Sequence, residues 1–215
     1  PAQNGMVTLG PPGILYELLE VSNGMTLDTA GGQLLSVNFN DVSITGLNSR
    51  IIARPAPGPS PYDFRGKLSL GAGAYLDLRD NVQVSLIAPS LSQGTITGRG
   101  TIVSLLQNDG VIRPSNNGGI VLNTFGNGLL NLDGPAETGH LLLDVPFSVL
   151  EVNGVGLTDP FSGDISLVPG SLLTMNLTEG WSADADCVLN VAGFNNPAAA
   201  SQINGTIGIL SIRGR

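Results

Sequence analysis

The sequence has little charge and few of the residue types from which most enzyme active sites are built. Only 12% of its 215 residues are charged and 5% are aromatic, and it contains one cysteine and one histidine. These two residues cannot form an intrachain disulfide, an HExxH motif or a structural zinc site of the usual spacing. The motifs G-x-S-x-G and G-x-G-x-x-G and the P-loop are also missing. We therefore expect a protein that is not an enzyme and that holds no cofactor or metal.

Basic residues are scarce, and this limits the partners that the chain can attract. The formal net charge is −8, and Lys67 is the one lysine among nine basic residues. Such a chain repels nucleic acid and anionic membranes, so we expect no nucleic-acid partner. No apolar run reaches the roughly 18 residues that span a bilayer, so we expect no membrane insertion. The chain starts at Pro1 without a charged and then apolar leader, so we expect that any leader has been removed.

Short β-prone runs alternate with turn residues along most of the chain. The sequence contains 30 glycines and 14 prolines, and Gly, Asn, Asp and Pro separate the apolar runs. This pattern is typical of many short strands and predicts an all-β fold. The predicted strands cover residues 42–47, 67–70, 82–87, 101–106, 119–122, 129–132, 140–145, 148–152, 164–168, 171–177, 188–191 and 206–212.

Two segments depart from this pattern and suggest how the chain is organised. Residues 14–21 (ILYELLEV) follow Pro11, Pro12 and Gly13, which predicts a short N-terminal capping helix, with a first strand as the alternative. The proline-rich residues 53–62 predict an extended loop. We therefore divide the chain into a cap with the first strands (residues 1–52), the loop (53–62) and a body (63–215).

An internal repeat favours a stacked architecture. FRGKLSLGAGAYL (residues 64–76) aligns with FSGDISLVPGSLL (residues 161–173) in the frame F-x-G-x-[LI]-S-L-x-x-G-x-x-L. Strands that alternate polar and apolar residues, with Gly or Asn at the corners, can stack in parallel over an aliphatic interior. We therefore predict a parallel β-helix, or β-solenoid. The alternative is an antiparallel β-sandwich, which the Asn-Gly dipeptides at residues 23, 127, 153 and 204 favour as hairpin turns.

One stretch also carries a resemblance to a known family. GRGTIVSLLQNDGVIRPSNNGG (residues 98–119), followed by GNGLLNLDG (126–134), resembles the autotransporter-associated β-helical repeats of bacterial surface and secreted proteins. The recurrent frame is G-x-G-T-[IV] and then N-x-G-x-[IV]-x-P. It is filled by Gly98, Gly100, Thr101, Ile102, Asn108, Gly110, Ile112 and Pro114. The resemblance implies a right-handed parallel β-helix that serves as an extracellular stalk, adhesin or matrix component, without catalytic residues.

A few residues remain as candidates for chemistry or binding. Three aspartate pairs could hold calcium or act on a polysaccharide: Asp77 with Asp80, Asp159 with Asp164, and Asp184 with Asp186. We expect them to be ordinary turn acids, because no arginine or lysine lies near Asp184 and Asp186 in the sequence to stabilise a developing carbanion. His140 is expected to be a solvated strand residue and Cys187 a buried small apolar one.

Aromatic residues are a further group of candidates, because an exposed ring can bind a sugar. Phe64 and Phe161 occupy matched positions of the repeat, so we expect both to pack in the core. Trp181 follows Glu179 and Gly180 at an expected corner, where an exposed indole would suit a sugar.

Three hypotheses follow for function. The first is a non-enzymatic extracellular stalk or a fibre subunit that pairs head to tail with itself, for which residues 205–212 offer an unbroken β-prone run. The second is a carbohydrate-binding adhesin or receptor-binding module that binds surface glycans through the flat side of the β-helix and Trp181. The third is a polysaccharide lyase or hydrolase that uses Asp184 and Asp186.

Overall fold

The computed structural model describes residues 15–29, 38–54, 64–86, 90–115, 119–124, 129–133, 139–183, 187–191 and 202–205. These residues form seventeen strands in one sheet and include no helix. The strands are β1 (Leu15–Val21), β2 (Thr26–Asp28), β3 (Asn38–Ile44), β4 (Arg50–Ala53), β5 (Phe64–Leu70), β6 (Tyr75–Leu86), β7 (Ser90–Ser92), β8 (Thr95–Val103), β9 (Leu106–Asn108), β10 (Val111–Pro114), β11 (Gly119–Asn123), β12 (His140–Leu143), β13 (Val149–Gly154), β14 (Asp164–Leu167), β15 (Leu172–Leu177), β16 (Val188–Val191) and β17 (Gln202–Gly205).

Every strand pairing within these ranges is parallel. A strand pairs mainly with the strand two places further along the chain rather than with the next one, as in β2 with β4, β12 with β14 and β13 with β15. Parallel neighbours cannot be joined by a two-residue hairpin and need longer connections. The consecutive strands β5 and β6 pair only through residues 64–66 and 84–86. The prediction of an all-β fold is confirmed, and the antiparallel sandwich kept as its alternative is wrong.

The strands lie in rows. One row runs through β2, β4, β6, β8, β10, β12, β14 and β16. A second runs through the C-terminal halves of β6 and β8 and continues through β11, β13, β15 and β17. A third contains β1, β3, β5, β7 and β9. The long strands β6 and β8 belong to the first two rows at once, so they hold these two rows together.

Residues with a positive φ mark the bends between the rows. In β6 the bend lies at Asp80 and Asn81, with φ of 55° and 61°, and in β8 it lies at Gly98, with φ of 100°. Asn23 and Gly24, with φ of 56° and 72°, join β1 to β2. These two strands do not pair with each other in the described register, so this Asn-Gly makes a corner and not a hairpin. Asparagine and glycine tolerate the left-handed region that such corners need.

An aliphatic column fills the interior behind the first row. Side chains alternate along each strand, and one inward position of every strand in the row is aliphatic. The strand register aligns these positions as Leu27, Ile51, Leu76, Ile96, Ile112, Leu141, Ile165 and Leu189. The six between the two ends of the column are buried, and each contributes about 1.5–3 kcal/mol by leaving water.

The predicted N-terminal helix is wrong, because residues 15–21 form β1. This strand pairs in parallel with β3 through six residue pairs, from Leu15 with Asn38 to Val21 with Ile44. A helix of about eight residues is marginal by itself, and it would leave the edge of β3 unpaired. Pairing with the sheet therefore overrides the local helix propensity of LYELLEV.

The internal repeat reports local geometry and not a shared place in the sheet. Gly73 and Gly170 occupy the same position of the frame, and both are left-handed corners, with φ of 73° and 79°. The strands before these corners, β5 and β14, belong to different rows, because β5 pairs with β3 whereas β14 pairs with β12. The frame therefore specifies a strand, a corner and a second strand wherever it occurs.

The predicted loop at residues 53–62 is described only at its first two residues. Ala53 ends β4 and is buried, and Arg54 follows it. Residues 55–63 and the whole of the predicted strand 206–212 lie outside the described ranges. The strands before and after the loop belong to the same sheet, since β3 pairs with β5 and β4 pairs with β6.

Candidate functional site

A groove crosses the outer face of four strands of the first row, β4, β6, β8 and β10. Leu76 and Leu78 are buried in the interior, so strand alternation places Tyr75 and Asp77 on the outer face of β6. The register then aligns Asp77 with Thr97 on the neighbouring strand. The groove has a volume of about 250 Å³, and its lining is formed by Arg50, Tyr75, Asp77, Arg79, Thr95, Thr97, Gly98, Arg113 and Ser115.

Asp77 lies at the bottom of this groove and anchors Arg79. Its side chain is 3% exposed although it is on the outer face, so neighbouring side chains must cover it. Arg79 Nη2 donates to Asp77 Oδ2 at 2.6 Å, while the Arg79 side chain remains 49% exposed. A buried carboxylate requires a charged partner, and removal of that partner is costly. The pair therefore fixes a guanidinium at the rim of the groove.

Arg113 is held by a carboxylate outside the groove. Its Nε and Nη2 donate to the two carboxylate oxygens of Asp144, both at 2.8 Å. These hydrogen bonds raise the pKa of Arg113 above its ordinary value, and partial burial opposes them. Because the pKa is raised in the folded state, this stabilisation is complete at neutral pH and is lost only as the pH rises through the folded value. Arg113 therefore keeps its charge under physiological conditions.

Arg50 is the third guanidinium of the groove, and it has a different partner. Its Cζ atom lies 4.8 Å from the centroid of the Tyr75 ring, which is a cation–π contact. Arg50 forms no ion pair with a carboxylate in the described part of the chain. The lining thus contains three arginines and one aspartate. Arg79 is paired with Asp77 and Arg113 with Asp144, so Arg50 leaves a local excess of one positive charge in a chain of net charge −8.

A second cavity, of about 320 Å³, lies beside Trp181. It is lined by Gly156, Leu157, Thr158, Asp159, Pro160, Glu179, Gly180, Trp181 and Ser182. Trp181 is 5% exposed and packs with the core, so it does not offer the exposed indole that the glycan-binding hypothesis requires. Gly180, at φ of 74°, makes the expected corner, but the indole that follows it lies in the interior. The indole Nε1 has no hydrogen-bond partner among the described residues.

The predicted aspartate pairs are not brought together as metal sites. Asp77 binds Arg79, whereas Asp80 lies 3.3 Å from Arg54 and 3.4 Å from Arg99. Asp159 lines the cavity beside Trp181, whereas Asp164 lies on β14. Asp184 and Asp186 lie outside the described residues. The residues that are described contain no group of three or more His, Cys, Asp or Glu side chains that could hold a metal ion.

The other candidate residues are a strand histidine, a buried cysteine and a buried phenylalanine. His140 is a strand residue with a side chain that is 44% exposed, and its Nδ1 lies 3.1 Å from Asp164 on the neighbouring strand. Cys187 is fully buried, as predicted. Phe161 is buried in the core, as predicted, and the side chain of Phe64 is outside the described set.

Sequence reasoning missed the arginine groove. Its charged residues are distant in the chain, and only the strand register brings positions 50, 75, 95 and 111 side by side. The available signal was the strong preference for arginine over lysine, because arginine is favoured in stacked and bidentate contacts. That signal does not indicate which arginines converge.

Comparison with known proteins adds no assignment. No family model, curated protein or solved structure matches this chain. A search of the described residues for helices long and apolar enough to cross a membrane finds none. The functional conclusions therefore depend on the geometry of the chain itself.

Proposed function

We propose that the chain is a non-enzymatic structural module, a right-handed parallel β-helix that serves as an extracellular stalk of a bacterial surface. The observation that carries this proposal is the unbroken first row, in which eight parallel strands from β2 to β16 stack in register. With neighbouring strands about 4.8 Å apart, this row extends roughly 34 Å. A stack of this kind acts as a spacer along its axis and requires no binding pocket.

An asparagine ladder supports in-register stacking in the second row. Asn153 Nδ2 donates to Asn123 Oδ1 at 3.0 Å, and Asn176 Nδ2 donates to Asn153 Oδ1 at 2.8 Å. These residues come from β11, β13 and β15, which are successive members of the row. Ladders of identical amide side chains form where parallel strands repeat without a shift in register.

The low charge and the resemblance to repeats of bacterial surface proteins support the extracellular part of the proposal. Only 12% of the residues are charged, and the glycine-rich frame at residues 98–114 is similar to repeats of bacterial surface proteins. In the structure two residues of the frame, Ile102 and Ile112, are buried and pack in the core. Self-assembly into fibres depends on residues 205–212, of which only Gly205 is described, so the proposal is restricted to the stalk.

Spin-label distances test the stacked architecture. Thr26, Val111 and Asp164 occupy one outer column of the first row. In a chain with Cys187 replaced by Ala, the backbone separation should increase from roughly 19 Å for the pair at 26 and 111 to roughly 29 Å for the pair at 26 and 164. Pulsed electron–electron double resonance between spin labels attached at these positions measures both distances. Equal distances for the two pairs would reject the stack.

Two further measurements test the role. Antibodies against the chain should label intact source cells without permeabilisation, and labelling that requires permeabilisation would reject the surface location.

Incubation with acidic and neutral polysaccharides, with and without calcium, should release no new chain ends. Measurable turnover would show an enzyme and would remove the non-enzymatic assignment.

A further inference from the structure

The groove across β4, β6, β8 and β10 concentrates positive charge on an acidic molecule. Three of the nine basic residues of the chain line this one groove. Arg79 and Arg113 are each fixed by a carboxylate, but Arg50 stacks on Tyr75 and has no carboxylate partner among the described residues. An arginine held by an aromatic ring keeps its hydrogen-bond donors available, and a guanidinium matches a carboxylate in a bidentate manner.

The shape of the groove follows from side-chain size. Thr95, Thr97 and Gly98 of β8 are short, and they lie between the larger Tyr75 on β6 and Arg113 on β10. The three strand intervals from β4 to β10 span roughly 14 Å. The lining thus combines the hydroxyl groups of the short residues on β8 with guanidinium groups from β4, β6 and β10.

We propose that this groove binds an acidic sugar, with Arg50 and Arg79 holding the sugar carboxylate and Tyr75 and the two threonines contacting the ring. Tyr75 lines the groove and Arg50 covers one face of its ring, so the rest of the ring and its hydroxyl are available to a sugar that has both C–H and O–H groups. The hydroxyls of Thr95 and Thr97 can donate to and accept from sugar hydroxyls. This site does not depend on the stalk role.

The negative net charge of the chain favours a ligand that carries few negative charges. A net charge of −8 repels a polyanion such as nucleic acid, which has a phosphate at every nucleotide. The one guanidinium of the lining without a carboxylate partner among the described residues, Arg50, suits one carboxylate in an otherwise uncharged ring. An acidic sugar meets both conditions.

Titration calorimetry on the full chain tests the proposal with oligosaccharides of equal length. The two acidic probes are a galactose oligomer that carries one terminal galacturonate and a sialic-acid-terminated oligomer, a galactose oligomer is the neutral probe, and inorganic sulfate is the simple anion. We expect at least one acidic probe to bind at millimolar concentration or below and the neutral probe to bind at least about tenfold more weakly. The acidic probe with the higher affinity identifies the class of sugar.

Matched arginine variants locate the site. Arg50→Gln should weaken binding of the acidic probe about tenfold, as expected for the loss of a charge-assisted hydrogen-bonded contact. Arg54→Gln is the control, because Arg54 immediately follows the same strand but pairs with Asp28 at 2.9 Å and does not line the groove. Arg50→Gln is preferred to Arg79→Gln, which would leave Asp77 buried without its partner. Thermal unfolding verifies that both variants fold.

Four results would overturn the proposal. These are equal affinity for the acidic and neutral oligomers, no binding of either acidic probe at millimolar concentration, equal loss of affinity in both variants, and sulfate affinity equal to that of the acidic sugar. The last result would indicate a simple anion site without recognition of the ring.

Discussion

Two residues of the glycine-rich frame act where neighbouring backbone segments lie close together. A Cβ atom at Gly98 would overlap the carbonyl oxygen of Leu78, and φ at this position is 100°. Asn108 is fully buried, and its amide donates to the carbonyl oxygens of Gly110 and Leu132 at 3.1 and 3.0 Å. Buried carbonyl groups need donors, and asparagine supplies two. Backbone proximity therefore explains these residues without reference to catalysis.

Replacement of Gly98 tests this explanation at the scale of one residue. Gly98→Ala should lower the free energy of unfolding by about 3 kcal/mol, because the new methyl group meets backbone and the left-handed φ is strained. Gly71→Ala is the matched control, since its Cβ atom would have its nearest neighbours at 3.6 Å. Urea denaturation measures both variants. Similar losses in the two proteins would show that proximity is not the cause.

At the scale of the element, β6 and β8 are the strands that define the architecture. Each bends in its middle, so that one half pairs in the first row and the other half in the second. The bends use different residues, Asp80 and Asn81 in β6 and Gly98 in β8, because either type tolerates a positive φ. The second row then continues into β11, β13 and β15, where the asparagine ladder lies.

The ladder gives an element-scale prediction. Asn153→Ala should cost about 1–2 kcal/mol of stability, because it removes the central member and both of its side-chain hydrogen bonds. Asn190→Ala is the control, since Asn190 is exposed and has a single contact of 3.5 Å with Ser166. Chemical denaturation compares the two variants. A loss at position 190 as large as that at 153 would contradict a specific role for the ladder.

At the scale of the whole molecule, stability is distributed along a stack of local interfaces. Each strand of the first row contacts the strand before and the strand after it, and the aliphatic column joins all eight. In architectures of this kind, energy is approximately a sum of nearest-neighbour terms. A substitution should therefore act mainly on its own strand and the two adjacent ones.

Hydrogen exchange on two core variants measures this locality. Ile96→Ala should reduce amide protection in β6, β8 and β10 by about 2–5 kcal/mol, because the cavity lies among these strands. Ile165→Ala should move the loss to β12, β14 and β16. Each variant serves as the control for the other. Loss of protection to the same extent in every strand for both variants would indicate a single cooperative unit.

The sequence allowed prediction of the strand content and failed where pairing decides the outcome. The run VLNV at Val188–Val191 was predicted with its observed bounds, because its boundaries are set by local residue types. The run LYELLEV was predicted as a helix and is β1, because its partner β3 lies more than twenty residues away. Trp181 was placed correctly at a corner, but the sequence did not indicate that its indole faces the interior. Short-range signals locate turns, and long-range contacts decide which side of the chain is covered.

The sequence by itself determined that this chain is all-β, low in charge and free of the common catalytic motifs, because these properties depend on composition and on short spacings. The sequence predicted parallel pairing with an antiparallel sandwich as the alternative, and the tertiary structure decided between the two and placed Arg50, Arg79 and Arg113 in one groove. The physical reason is register. A shift of one residue in the pairing moves every side chain of a strand to the opposite face, and no local pattern of Gly, Asn and Ile fixes which distant strand lies alongside.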